Sequence, residues 1–333
     1  MAQADMERMI GTWGEQLRWS SRLDARAAPA PEQILICGMG GSGITGDFAV
    51  PLCSVPAYVH KGYGLPSWAG QARPMVLAVS YSGNTEETLS AVTEARAVGL
   101  PIAVVSGGGR LHELAGSEDW PAVGVPTGLQ PRAALGYLLG GALSLLGAWG
   151  VTSVGDGELA AAADLADSLL VEGGAARILA AELAGGLAGR IVVVYGSQGL
   201  VAPAAQRWKT QINENAKWPA WWSLFPEIDH NEIVSWTSLS QLTKNQVGLI
   251  VLRDRDEGAR VAARIRLTAE VTEPNVNWVG EVWSQGEHPL ERMVSLAVMG
   301  DLVSVELARL VGVDPVRVEA LENLKQKLAE EPS

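Results

Sequence analysis

The chain has 333 residues, 47% of them apolar, and its 25 basic and 37 acidic side chains give a net charge of −12. This acidic balance disfavours nucleic acid and acidic lipid as partners, and no apolar run is long enough to predict a membrane span. The first residues lack the basic-then-apolar pattern of an export signal, so we expect a cytoplasmic protein. Its two cysteines, Cys37 and Cys53, fit a reducing compartment and favour neither a disulfide framework nor a cysteine-based zinc site.

The first half of the chain alternates between helical and strand-like patterns. A loose apolar periodicity predicts a helix over about residues 6–26, which the Ala-Ala-Pro-Ala-Pro stretch at 27–31 ends. Short apolar runs then predict buried strands at 34–37, 57–60, 75–80, 102–106 and 122–125. Helical patterns lie between and after these runs, at 42–50, 85–98 and 133–149. This alternation is typical of a parallel sheet that is covered by helices on both faces.

The second half repeats the pattern after a Gly- and Asp-bearing stretch at 150–157, which we predict to be a linker. Gly196 lies 158 residues after Gly38 and also follows a strand-like run, so the second half resembles a degenerate copy of the first. Its further elements are predicted as strands at 247–252 and 278–283 and helices at 158–170, 174–187, 257–270, 287–311 and 315–330. The predicted fold class is α/β, with two tandem doubly wound parallel-sheet domains, flavodoxin-like three-layer sandwiches, over residues 1–150 and 158–333.

Glycines follow the first predicted strand in the sequence Gly38-Met-Gly-Gly-Ser-Gly43, where a helix should start. Such a loop exposes backbone N–H groups to an anion, but its spacing also occurs in dinucleotide-binding domains. Those domains place a carboxylate about 20 residues later, whereas no Asp or Glu stands between Asp47 and Glu86 here. A nucleoside-triphosphate loop is excluded because no Gly-Lys-Ser/Thr follows the glycines. Close packing of a helix on a strand remains an alternative role for them.

Three hydroxyl side chains, Ser80, Ser82 and Thr85, follow one another within six residues at the end of the third predicted strand. Thr85 precedes Glu86 and Glu87 as an N-cap residue would, so helix capping is one interpretation of this segment. Capping accounts for one hydroxyl but not for three. A neutral, hydroxyl-lined pocket at a helix N-terminus suits a phosphate dianion. The two loops follow neighbouring strands and together predict one phosphate-binding pocket.

Two later segments, Lys209-Thr-Gln-Ile-Asn-Glu-Asn-Ala-Lys217 and Asp229-His-Asn-Glu-Ile233, add to these motifs. From about residue 30 onward the chain resembles the bifunctional phosphoglucose/phosphomannose isomerases, which consist of two sugar isomerase (SIS) domains. The serine-rich loops mark the SIS superfamily in general, whereas the two later segments are more specific to this branch. The resemblance implies interconversion of fructose 6-phosphate with glucose 6-phosphate and mannose 6-phosphate through a cis-enediolate, without a metal or other cofactor.

The resemblance also implies roles for individual residues. Glu214 corresponds to the base that moves a proton between C1 and C2, and Arg132 to the cation that steadies the enediolate. His230 and Lys325 correspond to residues that act in opening the sugar ring, and His230 would be supplied by the partner subunit of a homodimer. The residues implied to bind the phosphate are Gly40, Gly41, Ser42, Ser80, Ser82 and Thr85.

The reaction itself requires side chains of these types. One carboxylate can move a proton between adjacent carbons, a fixed cation can stabilise the enediolate oxygen, and a histidine can act in ring opening near neutral pH. Each residue also has a simpler interpretation. Glu214 could be a solvated helix acid, Arg132 a surface charge, and His230 a packing residue after an apolar loop at 218–226.

The C-terminal pattern predicts an amphipathic helix that begins at Asp314-Pro315, a good capping pair. Lys325 borders the apolar stripe of this helix, which is expected to be buried and is formed by Leu321, Leu324 and Leu328. From the pattern alone, Lys325 could equally belong to a site or to the solvated face.

Two positions depart from the pattern of the family. Asp229 stands where an Asn usually precedes the histidine, and its carboxylate is expected to alter how His230 responds to pH. The sequence Asp-Pro-Val-Arg at 314–317 lacks the hydroxyl of the usual Asp-Pro-Thr-Pro, which is expected to affect how the two C2 epimers are handled. The alternative functions are a non-catalytic SIS regulator that binds a sugar phosphate and an isomerase of another sugar phosphate.

Overall fold

A computed structural model describes residues 2–20, 23, 25–26, 29–238 and 240–331 of the chain. Within these ranges the framework consists of two parallel β-sheets, one in each half of the chain. The strands in chain order are β1 (Ile34–Cys37), β2 (Ala57–His60), β3 (Met75–Ser80), β4 (Ile102–Ser106), β5 (Ala122–Gly124), β6 (Ile191–Ser197), β7 (Ala220–Phe225), β8 (Val247–Arg253) and β9 (Trp278–Trp283). The predicted parallel α/β fold is therefore confirmed.

Helices connect and cover these strands, and within the described ranges none is long and apolar enough to cross a membrane. In chain order they are α1 (Ala2–Ile10), α2 (Trp13–Ser20), α3 (Gly40–Ala49), α4 (Ala69–Ala72), α5 (Glu86–Ala97), α6 (Gly109–Ser117), α7 (Leu135–Ala148), α8 (Asp156–Leu170), α9 (Ala175–Leu187), α10 (Ala202–Asn215), α11 (Glu232–Ser235), α12 (Ser240–Gln246), α13 (Ala259–Thr272), α14 (Pro289–Val311) and α15 (Glu319–Glu330).

Three predicted elements differ from the structure. The single helix expected at 6–26 is two helices, because Gly11, a poor helix former, interrupts it, and α2 ends at Ser20. Positions 21–22, 24 and 27–28 of that prediction lie outside the described residues. The apolar loop expected at 218–226 is the edge strand β7, whose flanking prolines suit a sheet edge. The last helix starts at Glu319 and not at Pro315.

Both sheets have the same strand order around their first strand. The first sheet runs β2-β1-β3-β4-β5 and the second β7-β6-β8-β9, with every pairing parallel. This agrees with the duplication that the 158-residue spacing predicts. In such a sheet the chain leaves β1 toward one edge and β3 toward the other. The two connections therefore leave a crevice between them, at the carboxyl ends of β1 and β3. Both predicted phosphate loops start at this crevice.

The apolar core explains how the two halves meet. Along β1, Leu35 and Cys37 pack toward α5 and α6, whereas Ile34 and Ile36 pack into a second cluster with α3 and α7. This second cluster continues through α10 and α14 to the inner face of the second sheet. The helices α2 and α8 pack against each other, although they come from opposite sides of the predicted linker at 150–157. The domain boundary at this linker stays a prediction. The shared core holds the end of α10 near the crevice of the first sheet.

Candidate active site

Two glycines of the first loop are needed for different reasons, one for its backbone conformation and one for its close contact with a neighbouring segment. Gly40 has a φ of +52°, a left-handed conformation that strains residues with a side chain. A Cβ at Gly41 would lie 3.0 Å from the carbonyl oxygen of Pro131, so a glycine is needed for this contact. Ser42 is buried, and its Oγ accepts a hydrogen bond of 3.0 Å from the backbone N–H of Tyr81. This bond joins the first loop to the second.

Two hydroxyl groups of the second loop, those of Ser80 and Thr85, bond to each other and not to the helix that follows. The Oγ of Ser80 lies 2.9 Å from Oγ1 of Thr85 and accepts a bond of 3.1 Å from the N–H of Gly83. Thr85 is the N-cap residue of α5, but its side chain makes no capping hydrogen bond. The capping interpretation of its hydroxyl is therefore wrong. Ser82 is exposed at the mouth of the loop.

Tyr81 and Asn84 hold the second loop in place, and the sequence analysis assigned neither a role. The Tyr81 hydroxyl accepts a bond of 3.0 Å from the N–H of Leu129, which lies just before Arg132. Asn84 Oδ1 accepts a bond of 3.0 Å from the N–H of Arg110 at the start of α6. The only sequence signal was their place among the serines and Thr85. The loop is thus tied to the segment that carries the arginine.

Arg132 is enclosed by acceptors from three segments and is only 4% exposed, so its interpretation as a surface charge is wrong. Its Nε donates to Oδ1 of Asn215 at 2.7 Å, and its Nη2 donates to the carbonyls of Pro315 at 2.6 Å and Val316 at 2.9 Å. Burial lowers the pKa of Arg132, and the nearby carboxylate of Glu214 partly offsets that effect. The guanidinium is therefore fixed in direction.

Nη1 of Arg132 is the nitrogen without a close acceptor. Its contacts are long, 3.4 Å to Oε1 of Gln130 and 3.6 Å to Oε2 of Glu214. Glu214 lies in the last turn of α10, and its side chain is 33% exposed. It is thus a half-buried acid beside a buried cation, which differs from a fully solvated helix acid. A carboxylate and an available N–H face each other here.

The helix α10 is oriented by amide side chains on its buried face. Gln211 donates to Oδ1 of Asp301 at 2.6 Å, and Asn215 Nδ2 donates to Oγ of Ser304 at 2.9 Å, both on α14. Because Glu214 lies beside this face and not within it, its carboxylate is left at the edge of the crevice. Asn215 therefore serves two neighbours, since it also accepts from Arg132.

Behind the site lies a buried charge network that the sequence analysis missed. Asp301 is fully buried and accepts bonds of 2.8 Å from both Trp13 Nε1 and Arg207 Nη2. Arg207 Nη2 also donates to the main-chain carbonyl of Arg132 at 2.9 Å. The network fixes the backbone of Arg132 and the rotation of α10 about its own axis. Residues so far apart in sequence carry no local signal of this contact.

His230 lies elsewhere on the chain, exposed in a short helical turn after β7. Within the described residues no hydrogen bond or ion pair joins it to Glu214 or Arg132. Its neighbour Glu232 is anchored, since Oε1 accepts a bond of 2.6 Å from the hydroxyl of Tyr195, a group whose pKa burial raises. The turn that carries His230 is therefore held firmly against the second sheet.

The carboxylate of Asp229 faces the domain interior and not His230. Its Oδ2 pairs with Arg264 Nη1 at 2.8 Å, and its Oδ1 accepts a bond of 2.8 Å from Thr268, both on α13. The part of the chain that the structure describes has no hydrogen bond between Asp229 and His230. The expected direct influence of this carboxylate on the histidine therefore has no contact to support it.

Lys325 is exposed on α15 and makes no bond to the groups around Arg132 in the described part of the chain. The leucines beside it, expected to be buried, are 41%, 54% and 52% exposed at Leu321, Leu324 and Leu328. That expectation is wrong for the single chain, because nothing in the described ranges covers this face. No cluster of three or more His, Cys, Asp or Glu side chains suited to a metal ion occurs among the described residues.

Comparisons with known proteins agree with this architecture. The family profile described as "Bacterial phospho-glucose isomerase C-terminal SIS domain" matches residues 177–328. A "Bifunctional phosphoglucose/phosphomannose isomerase" of Caldicellulosiruptor bescii is 37% identical over 310 residues, which cover 90% of each chain. The protein of the same name from Aquifex aeolicus is 37% identical over 300 residues, 89% of this chain and 90% of that one.

A solved structure extends the agreement to the fold. The tagatose-6-phosphate ketose/aldose isomerase from Escherichia coli superimposes with a TM-score of 0.69 at 14% identity, covering 96% of both chains. At that identity the likeness concerns the fold alone, whereas the two relatives match along nine-tenths of their length. The chain therefore belongs to the bifunctional phosphoglucose/phosphomannose isomerase family, whose members consist of tandem SIS domains.

Proposed function

We propose that this chain interconverts fructose 6-phosphate with glucose 6-phosphate and mannose 6-phosphate through a cis-enediolate. The observation that carries the proposal is the pairing of Glu214 with Nη1 of Arg132 across 3.6 Å. The other guanidinium nitrogens donate to protein acceptors at 2.9 Å or less, so Nη1 remains available to a substrate oxygen. A base beside a preorganised donor is what proton transfer through an enediolate requires.

The two loops supply the other half of the substrate site in this proposal. We assign the phosphate to Gly40, Gly41, Ser42, Ser80, Ser82 and Thr85, at the carboxyl ends of β1 and β3. Because Gly41 lies against Pro131, a sugar held there by its phosphate extends toward Arg132 and Glu214. The pocket offers hydroxyls and helix N-termini to the dianion in place of a lysine or arginine.

Replacing Glu214 by Gln tests the base. We expect kcat to fall by about 10²- to 10⁴-fold with KM nearly unchanged, because the amide keeps the shape but cannot take the proton. The assay uses fructose 6-phosphate in deuterium oxide, with glucose and mannose products separated and deuterium at C2 measured. Glu227→Gln, which changes an exposed acid near His230, is the matched control and should retain wild-type turnover.

The same assay separates the proposal from its alternatives. Turnover by Glu214→Gln at the wild-type rate would disprove the assignment of the base. Binding of the sugar phosphate by the wild-type protein without turnover would instead identify a non-catalytic regulator. We further propose that no metal ion takes part, so activity should survive dialysis against a chelator, and that the enzyme works in the cytoplasm, in keeping with its two free cysteines.

We also propose a homodimer in which His230 of one chain reaches the site of the other, where it acts with Lys325 in ring opening. Both side chains are exposed, and in the described part of the chain neither bonds to Glu214 or Arg132, which supports this assignment. Mixing the inactive chains Glu214→Gln and His230→Ala should restore about a quarter of wild-type activity, because random pairing gives half heterodimers with one intact site each. No recovery after mixing would mean that His230 serves its own chain.

A further inference from the structure

Lys217 occupies an unusual position directly after α10. Its φ of +53° lies in the left-handed region, which residues with a long side chain seldom adopt. Its ammonium donates to the carbonyls of Glu214 at 2.8 Å, Asn215 at 3.4 Å and Asp314 at 2.6 Å. A lysine ammonium has three N–H donors, so these carbonyls use all of them. The proposed reaction gives this side chain no direct task.

The carbonyls that Lys217 joins belong to two walls of the cage around Arg132. Those of Glu214 and Asn215 end α10, which presents the Asn215 amide to Nε of Arg132. That of Asp314 begins the opposite wall, whose next two carbonyls accept from Nη2 of the arginine. Asp314 Oδ1 also accepts a bond of 2.7 Å from the N–H of Val316, which keeps this turn rigid.

We propose that Lys217 is a positioning residue, an ammonium clamp that joins the end of α10 to the 314–316 turn and so aims Nη1 of Arg132 at the enediolate oxygen. This inference rests on the proposed isomerase function. It goes beyond that function because it assigns the orientation of the Arg132 guanidinium in part to Lys217, a residue that does not touch the substrate.

The clamp should affect the chemical step and leave phosphate binding alone. The phosphate loops are fastened to each other by Ser42 and to residue 129 by Tyr81, and neither bond involves Lys217. Loss of the ammonium would release the two walls and let the guanidinium turn away from Glu214. Misalignment of about 1 Å at a catalytic group can cost a factor near 100 in rate.

The test compares Lys217→Met with the wild-type enzyme. Met has a similar length and keeps the left-handed strain, so only the ammonium is removed. We expect kcat to fall about 10- to 100-fold with KM within about twofold, because ground-state binding is retained and enediolate stabilisation is lost. Lys217→Arg, which restores a cation to the carbonyls, should recover part of kcat.

A matched control exists in the first half of the chain. Arg73 also has a positive φ, +48°, and its guanidinium donates to the carbonyl of Gly99 at 2.7 Å. It lies at the amino edge of the first sheet, opposite to the phosphate loops. Arg73→Met therefore removes a carbonyl-binding cation at equal backbone strain, and it should leave both kcat and KM unchanged.

Two ligands distinguish positioning from a general structural role. A five-carbon aldonate phosphate carries a carboxylate that mimics the enediolate, whereas a hexitol phosphate has only neutral hydroxyls at that end. Calorimetry of Lys217→Met should give aldonate phosphate binding weakened by the same factor as kcat/KM, with hexitol phosphate binding unchanged. Equal weakening of both ligands, or an unchanged kcat, would overturn the inference.

The outcomes for the inference and for the function remain separate. A folded wild-type protein that turns over no hexose phosphate refutes the proposed function, while the contrast between the two ligands still decides the role of Lys217. Should Lys217→Met not fold, Lys217→Asn decides the same question, since Asn tolerates the left-handed conformation and lacks the ammonium. A kcat of wild-type size in that variant would likewise overturn the clamp.

Discussion

The two sheets of this protein have the same strand order but opposite chemistry at their crevices. In the first sheet, β1 and β3 end in glycines and hydroxyls, with Ser42 bonded to the backbone of Tyr81. In the second sheet, β8 is followed by Asp254-Arg255-Asp256-Glu257. Asp254 is buried there, accepts a bond of 2.7 Å from Ser284 and lies 3.2 Å from Nε of Arg292. One crevice is neutral and the other is filled by an ion pair.

The difference shows that topology supplies the crevice and side chains decide its use. Carboxylates at the second crevice would repel a phosphate dianion, and Arg292 is already paired with Asp254 and Asp256. The second domain contributes to the proposed site through the end of α10, which carries Glu214 and Asn215. A duplicated fold has thus divided phosphate binding and proton transfer between its two copies in the function that we propose.

The largest expected effect comes from breaking the second crevice. Asp254→Asn keeps the shape but, among the described residues, leaves the buried Arg292 with the exposed Asp256 as its remaining carboxylate partner, so the free energy of unfolding should fall by about 3 kcal/mol. Urea unfolding measures this change. Asp256→Asn, which removes the exposed partner of the same arginine, should cost about 1 kcal/mol or less.

The same variant tests the division of labour between the crevices. Below its melting temperature Asp254→Asn should keep the wild-type kcat and KM, because the second crevice binds no phosphate. A KM for fructose 6-phosphate that rises with this substitution would contradict the comparison.

Giving the first crevice the chemistry of the second is expected to have the next largest effect. Ser82 is exposed, so Ser82→Asp can fold with a carboxylate at the mouth of the proposed phosphate pocket. Repulsion between this charge and the dianion should raise KM by about a hundredfold with kcat nearly unchanged. Added salt should reduce the effect, since the site is open to solvent. Ser82→Ala, with a rise nearer tenfold, separates loss of the hydroxyl from repulsion.

A smaller effect is expected from the hydroxyl that joins the two loops. Ser42→Ala leaves the buried N–H of Tyr81 without its acceptor, which should cost about 2 kcal/mol of unfolding free energy and raise KM about tenfold. Ser197, a buried serine at the end of β6, serves as the control in the second crevice. Ser197→Ala should leave KM unchanged, and equal KM values for the two alanine variants would show that the crevices do not differ in this respect.

The parts of the fold that could be predicted are those with a local cause. The strand β1 and its loop follow from a four-residue apolar run and the glycines after it, and β3 with its serines follows in the same way. The strand β7 was missed because Pro219 and Pro226 flank it, and an edge strand tolerates prolines that a sequence pattern interprets as loop signals.

The parts of the site that could not be predicted depend on contacts between distant segments. Two acceptors of Arg132 are main-chain carbonyls, at residues 315 and 316, and a carbonyl has no signature in the sequence. The leucine stripe of α15 correctly predicted an amphipathic helix, but the leucines are exposed and not buried as expected. Periodicity indicates that a helix has an apolar face, but it cannot indicate what covers that face.

The smallest expected effect concerns the thiols, which both lie in the first half of the chain, Cys37 at the end of β1 and Cys53 in a bridge to Thr152. Burial raises the pKa of Cys37 to about 12 and that of Cys53 to about 11. Above the ordinary thiol pKa of about 8.5 the unfolded chain loses these protons while the folded chain keeps them, so the free energy of unfolding should decrease as the pH rises.

Alkylation with iodoacetamide, followed by peptide mass spectrometry, measures how the first sheet opens. Cys37 is 1% exposed, so its reaction requires local opening, and its rate should level off about one pH unit above the ordinary thiol pKa of about 8.5, where the opened thiol is almost fully ionised. A rate that keeps rising tenfold per pH unit beyond pH 10 would mean that the thiol reacts in the closed protein.

Since Gly38 and the first loop follow Cys37 directly, hexitol phosphate should slow the alkylation of Cys37 more than that of Cys53. Equal protection of the two thiols would mean that the phosphate binds away from this loop. That result would also contradict the proposed difference between the two crevices.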